Sequence, residues 1–114
     1  MQYLLLIHEA EEIWQNRSES EKEAVLQQFR ALNAELEADG VAFSANRLMP
    51  VSTAVNVRVR REEKHVSDGP FAETREQLAG YYLIEVDDLD AAIACAARIP
   101  VAQTGTVEVR PVMG

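Results

Sequence analysis

Gly80-Tyr81-Tyr82-Leu83-Ile84-Glu85-Val86, followed at once by Asp87-Asp88 and an alanine-rich run to Ile99, decides the fold of this chain. Aromatic and β-branched residues crowd the first seven positions, as a pleated and half-buried strand requires. The aspartates can accept hydrogen bonds from the free N–H groups of a helix start, so a helix is expected from about Leu89 to Ile99, closed by Pro100. Thr106-Val107-Glu108-Val109-Arg110 then alternates with period two. The C-terminal half therefore reads strand, helix, strand.

Working upstream, the same order recurs. Tyr3-Leu4-Leu5-Leu6-Ile7-His8 is an apolar run of strand length without alternation, which suits a central strand covered on both faces. Ser18 and Glu21 stand in capping-box spacing, so a helix should begin at about Glu19. Val25, Phe29, Leu32 and Leu36, with Leu26 beside them, form one apolar stripe, and Gly40 supplies the stop. Val41 to Arg47 is extended. Between the two halves, Val55-Asn56-Val57-Arg58-Val59-Arg60 alternates and Arg61-Glu62-Glu63-Lys64 makes a charged turn, from which His65-Val66-Ser67 returns as a hairpin partner.

Two βαβ units in tandem with a hairpin insertion predict an α+β fold, the ferredoxin-like split βαβ, in which an antiparallel sheet carries both helices on one face. The valines of 55–60 and 106–110 are expected to meet the helices. The opposite side, with Asn56, Arg58, Arg60, Glu108 and Arg110, would then be bare. Leu4, Leu6 and Tyr82 or Tyr81 would add more apolar area there than a monomer usually exposes, and a homodimer stacking two sheets resolves this.

Composition narrows the function. At 114 residues the chain fits one domain, 1–114, able to hide roughly 65% of its unfolded surface without metals or disulfides. A net charge of −8 argues against nucleic acid and anionic membrane surfaces as partners. No basic leader precedes the short Tyr3–Ile7 run, so a cytoplasmic location is expected. The single Cys95 reads as a packed thiol. His8-Glu9-Ala10-Glu11-Glu12 lacks the second histidine of a zinc helix and reads as a solvated lead-in to the long helix; no metal and no cofactor are expected. Phosphate-loop and nucleophile-elbow patterns are absent.

Asp68-Gly69-Pro70 forces a turn and fixes a carboxylate, which either accepts bonds from its own backbone or serves chemistry. Together Ser67-Asp68-Gly69-Pro70-Phe71-Ala72-Glu73-Thr74 and Gln77-Leu78-Ala79-Gly80-Tyr81-Tyr82-Leu83-Ile84 resemble the DGPF-domain branch of the YCII-related proteins. The likeness continues through Asp88-Leu89-Asp90, Ala96-Ala97-Arg98-Ile99-Pro100 and Val107 to Val112. That resemblance implies a ferredoxin-like fold dimerising into an α+β barrel. Some wider relatives are thought to use a His-Asp pair, one removes chloride from a chlorinated hydroxyquinol, and many branch members are encoded beside sigma factors. The helix histidine of the enzyme-like relatives falls here near Phe29, which cannot move protons.

Any acid–base pair must then use His8 or His65. His8 beside Asp68 is the candidate catalytic pair, since a carboxylate fixes the imidazole tautomer and raises its basicity. Arg58 and Arg110 are candidates to grip an acidic ligand, with pairing to Glu108 or Glu85 as the alternative, and Tyr82 and Phe71 complete the candidate substrate-binding set. The reading that leads is a cofactor-free isomerase, lyase or dehalogenase acting on a small cyclic or aromatic acid; the alternatives are a small-ligand-binding or regulatory protein without catalysis and a module that docks a partner such as a sigma factor.

Overall fold

The computed structural model describes residues 1–114 as a mixed α+β fold with antiparallel sheets. The strand Gln2–Glu9 (β1) is followed by a short helix, Glu11–Gln15 (α1), and a long one, Glu19–Ala38 (α2). Then come Phe43–Arg47 (β2), the hairpin Val55–Arg60 (β3) and Glu63–Asp68 (β4), Gln77–Glu85 (β5), the helix Leu89–Ala97 (α3) and Thr106–Pro111 (β6). Four strands form one sheet in the order β2-β5-β1-β6, every neighbour antiparallel. Each long connection, through α2 or α3, therefore joins two parallel strands with one antiparallel strand between them.

Local chemistry places the helices. Ser18 Oγ accepts the Glu21 N–H at 3.2 Å while the Glu21 carboxylate accepts the Ser18 N–H at 2.9 Å, which closes the capping box of α2 and holds the Glu21 carboxyl below its ordinary range. At the far end Gly40 adopts φ +75°, and the Val41 N–H returns to the Leu36 carbonyl at 2.9 Å, a Schellman stop. Asp88 caps α3 by accepting the Ala91 N–H at 2.8 Å. The helix ends at Ala97, two residues short of the expected Ile99, and Pro100 opens a 3₁₀ turn, Pro100–Gln103.

Alternation along β1 builds the core. Tyr3, Leu5 and Ile7 face the helices and are buried, joined by Tyr82 and Ile84 of β5. Leu32 and Leu36 descend from α2, and Ala92, Cys95 and Ala96 from α3. Burying a leucine such as Leu5 stabilises the fold by roughly 2 kcal/mol. Val107 and Val109 of β6 pack on the same core, as their spacing predicted. Burial also raises the Cys95 thiol above its ordinary range, the inert state of a packed thiol.

The hairpin departs from expectation. β3 and β4 pair only with each other, through a turn in which Arg61 (φ 51°) and Glu62 (φ 65°) both adopt the left-handed conformation of a two-residue hairpin loop. Val55, Val57 and Val59 do not meet the helices; they stay 58–62% exposed. Period-two alternation identifies a strand but not the sheet it joins. The projecting hairpin stretches the molecule to a radius of gyration of 16.1 Å, where a compact chain of similar length has about 13 Å.

β6 starts from a tight approach. A Cβ at Gly105 would lie 2.2 Å from the His8 carbonyl oxygen and 3.2 Å from Glu9 Cα. Gly105→Ala should therefore force β6 away from the centre of the sheet and cost about 3 kcal/mol of stability, read from the midpoint of urea denaturation. An unchanged midpoint would mean that β1 gives way there without loss.

Candidate functional site

The cavity lies on the helix side, between α2 and the β2–β5 end of the sheet, with a volume of about 500 Å³. Its floor follows from register. Ile7, Gly80 and Arg47 form one cross-strand row, and Leu5, Tyr82 and Ala45 the next. Gly80 and Ala45 leave the middle of this floor nearly without side chains. Above it α2 supplies Val25, Leu26, Phe29 and Asn33, and Leu48, Met49 and Pro50 form the rim. Val25 and Phe29, expected as core, are thus only half-buried because they face this space.

Tyr82 organises the interior. Its ring stacks between Phe29 (6.4 Å) and Phe43 (5.9 Å), and its hydroxyl donates to Asn33 Oδ1 at 2.5 Å. Burial, with a smaller contribution from Cys95, pushes its phenol up to about 12.

The polar end comes from a segment that sequence reasoning treated as solvated. Glu9 is 5% exposed and lines the cavity. Arg17 donates to its Oε1 and Oε2 at 3.3 and 3.5 Å, and the Thr104 hydroxyl donates to Oε2. Both oxygens are occupied, so Glu9 is a structural acceptor rather than a free base. Glu11 is likewise committed, accepting the Val51 N–H at 2.7 Å. Next to it, Trp14 on α1, a helix that was not anticipated, carries three cations around its ring: Arg47 at 4.6 Å, Arg17 at 5.6 Å and Lys22 at 5.8 Å.

The residues singled out in the sequence fall into three places. Tyr82 lies in the cavity; of the tyrosine pair it is Tyr81 that takes the other face, where it accepts from Asn46 Nδ2 at 3.0 Å. His8 and Arg110 also sit on that open face. His8 Nε2 lies 3.4 Å from Glu108 Oε1 but makes no hydrogen bond, and Arg110 Nη2 donates to Glu108 Oε2 at 2.5 Å. Arg110, with His8 adding to it, holds the Glu108 carboxyl below its ordinary range. Glu85 instead pairs with the N-terminal ammonium at 2.9 Å.

Asp68, Arg58 and Phe71 belong to the hairpin and the turn after it. Asp68 is exposed and its side chain accepts no hydrogen bond; the turn is held instead by Asn56 Nδ2 donating to the Gly69 carbonyl at 2.7 Å. The Arg58 guanidinium lies 5.8 Å over the exposed Phe71 ring. Arg58 and Arg110 therefore do not share a sheet face, because β3 is not in the main sheet. Nor does any hydrogen bond or ion pair within the chain join His8 to Asp68.

Parity would have found Glu9: Tyr3, Leu5 and Ile7 put it on the buried face. Nothing in the local sequence marks Arg47 or Trp14, which meet only because α1 folds over the end of β2.

The model of the YCII-related domain matches residues 1–114. A protein of Rhizobium meliloti (strain 1021), named "Uncharacterized protein R00369", is 37% identical over 113 residues, covering 97% of this chain and 91% of its own length.

Because the folded state resists ionising Tyr82, its contribution to stability is whole below pH 10, the ordinary value, and is lost as pH rises towards 12. An alkaline absorbance titration should show a phenolate step near pH 12 that Tyr82→Phe removes. Tyr82→Phe should also cost about 1 kcal/mol at neutral pH through the lost bond to Asn33.

Proposed function

The chain belongs to the YCII-related family, and on that premise we propose that it binds a small, largely apolar molecule in the helix-side cavity. One observation carries this reading: a space of about 500 Å³, of the size small-molecule sites have, with an apolar floor and roof and polar groups gathered at one end. Phe29, near which the resemblance puts the wider relatives' helix histidine, lines that space, and no histidine is among the lining residues. Binding without proton transfer fits this lining better than catalysis does.

The strand order β2-β5-β1-β6 with two split βαβ connections supports the ferredoxin-like reading. A homodimer is part of the same proposal. Leu4, Leu6, Tyr81 and Leu83 sit half-exposed in adjacent cross-strand rows of the open face, and the hairpin holds its valines clear of the body. A second copy stacked on that face covers both. The acid–base reading depends on this dimer. His8 Nε2 is buried without a hydrogen bond and Asp68 is uncommitted, so only a partner's hairpin would bring such a pair together.

Ala45→Phe should fill the cavity floor, abolishing binding of small apolar ligands by calorimetry while the circular dichroism spectrum is kept; undiminished binding would place the ligand elsewhere. Leu6→Glu should turn a sedimenting dimer into a monomer by burying a charge at the contact. A wild-type chain that sediments as a monomer would remove the dimer, and the His8–Asp68 reading with it.

A further inference from the structure

We propose that Arg47 makes the cavity selective for a small monocarboxylate, whose apolar body lies against Phe29 and Leu26 and whose carboxylate takes the guanidinium fork. This rests on the binding reading above and assigns the ligand's charge and its anchor.

Of the two arginines lining the cavity, Arg17 pairs with Glu9. Arg47 has no acidic partner and its side chain makes no hydrogen bond within the chain; its guanidinium carbon lies 4.6 Å from the centroid of the Trp14 ring. Neither acid lining the cavity pairs with it: Glu9 is taken by Arg17 and Thr104, and Glu11 directs one oxygen to the Val51 N–H.

Register sets the direction of the side chain. Arg47 occupies the same cross-strand row as Ile7 and Gly80, so it stands on the helix side at the end of the cavity floor. The cation–π contact with Trp14 anchors the guanidinium without using its N–H groups, and a planar fork of donors matches a carboxylate.

The neighbourhood strengthens the attraction. Lys22, whose nearest acid is Glu19 at 3.8 Å, reaches the same indole. A chain of net charge −8 thus concentrates three cations around its one tryptophan, beside a mostly apolar space. Such an end repels cationic ligands, and Arg47, exposed at the mouth of the cavity, gains a charge partner only from an anionic one. The apolar remainder of the lining selects against multiply charged anions, whose other charges would be buried unpaired.

The test uses phenylacetate and cyclohexylacetate with their carboxamides, pairs that differ in charge but hardly in shape, and follows Trp14 emission. The acids should shift the emission and bind about tenfold more tightly than the amides, and added sodium chloride should weaken the acids alone. Arg47→Gln should lower acid affinity to that of the amide and leave the amide unchanged. Equal binding of acid and amide, or a preference that survives Arg47→Gln, would overturn the assignment while leaving the cavity as the binding site. Failure of all four compounds to bind would remove the cavity reading itself and this proposal with it. Should Arg47→Gln not fold, a wild-type acid affinity insensitive to salt overturns the anchor.

Discussion

β1 is hydrogen-bonded on both sides, to β5 and to β6, and this double pairing constrains everything around it. A strand held at both edges cannot rotate, so its side chains must alternate strictly between two faces. Tyr3, Leu5 and Ile7 consequently build the core, Leu4 and Leu6 build the open face, and Glu9 is carried inside. A carboxylate so placed needs compensation, which Arg17 and Thr104 supply from two distant parts of the chain. That cluster ties the start of α2 and the end of the 3₁₀ turn to the centre of the sheet.

The cavity exists because one stretch of this interior is underfilled. Gly80 contributes nothing to the row that holds Ile7 and Arg47, and Ala45 contributes little beside Tyr82. α2, held off by the stacked rings of Phe29 and Tyr82, does not close the gap. Its polar end is electrically uneven: Glu9 is paired with Arg17 and Thr104, whereas Arg47 has no acidic partner. An apolar space ending in one unspent cation is a chemical description of a small organic acid, and the site is described better by that asymmetry than by any acid–base pair.

Membership of the YCII-related family fits the α+β architecture but carries no activity with it, since the relative from Rhizobium meliloti is itself named as uncharacterised. The open sheet face and the projecting hairpin are the other features that a single chain leaves unexplained. Both are apolar on one side and neither lines the helix-side cavity. In the function proposed, the helix side of the sheet holds the ligand and the open side receives the second copy.

The sequence by itself determined the strands, the two longer helices and their order, though not α1, because capping boxes, a glycine stop, proline breaks and period-two or period-3.6 patterning are local. Ser18 with Glu21, Gly40 and Asp88 act within a turn of where they stand, and each behaved as its spacing implied. The buried parity of Glu9 was also legible, though its neighbours Glu11 and Glu12 disguised it as part of an acidic run. Tertiary structure alone decided the rest. Whether Val55–Arg60 joined the main sheet depended on hydrogen-bond partners remote in sequence, so its valines, well patterned for a core, ended exposed and took Arg58 and Asp68 away from Arg110 and His8. The cavity's anchor arose in the same way: Trp14 and Arg47 are separated by the whole of α2 and meet only where two elements cross, and such non-local contacts leave no mark in periodicity.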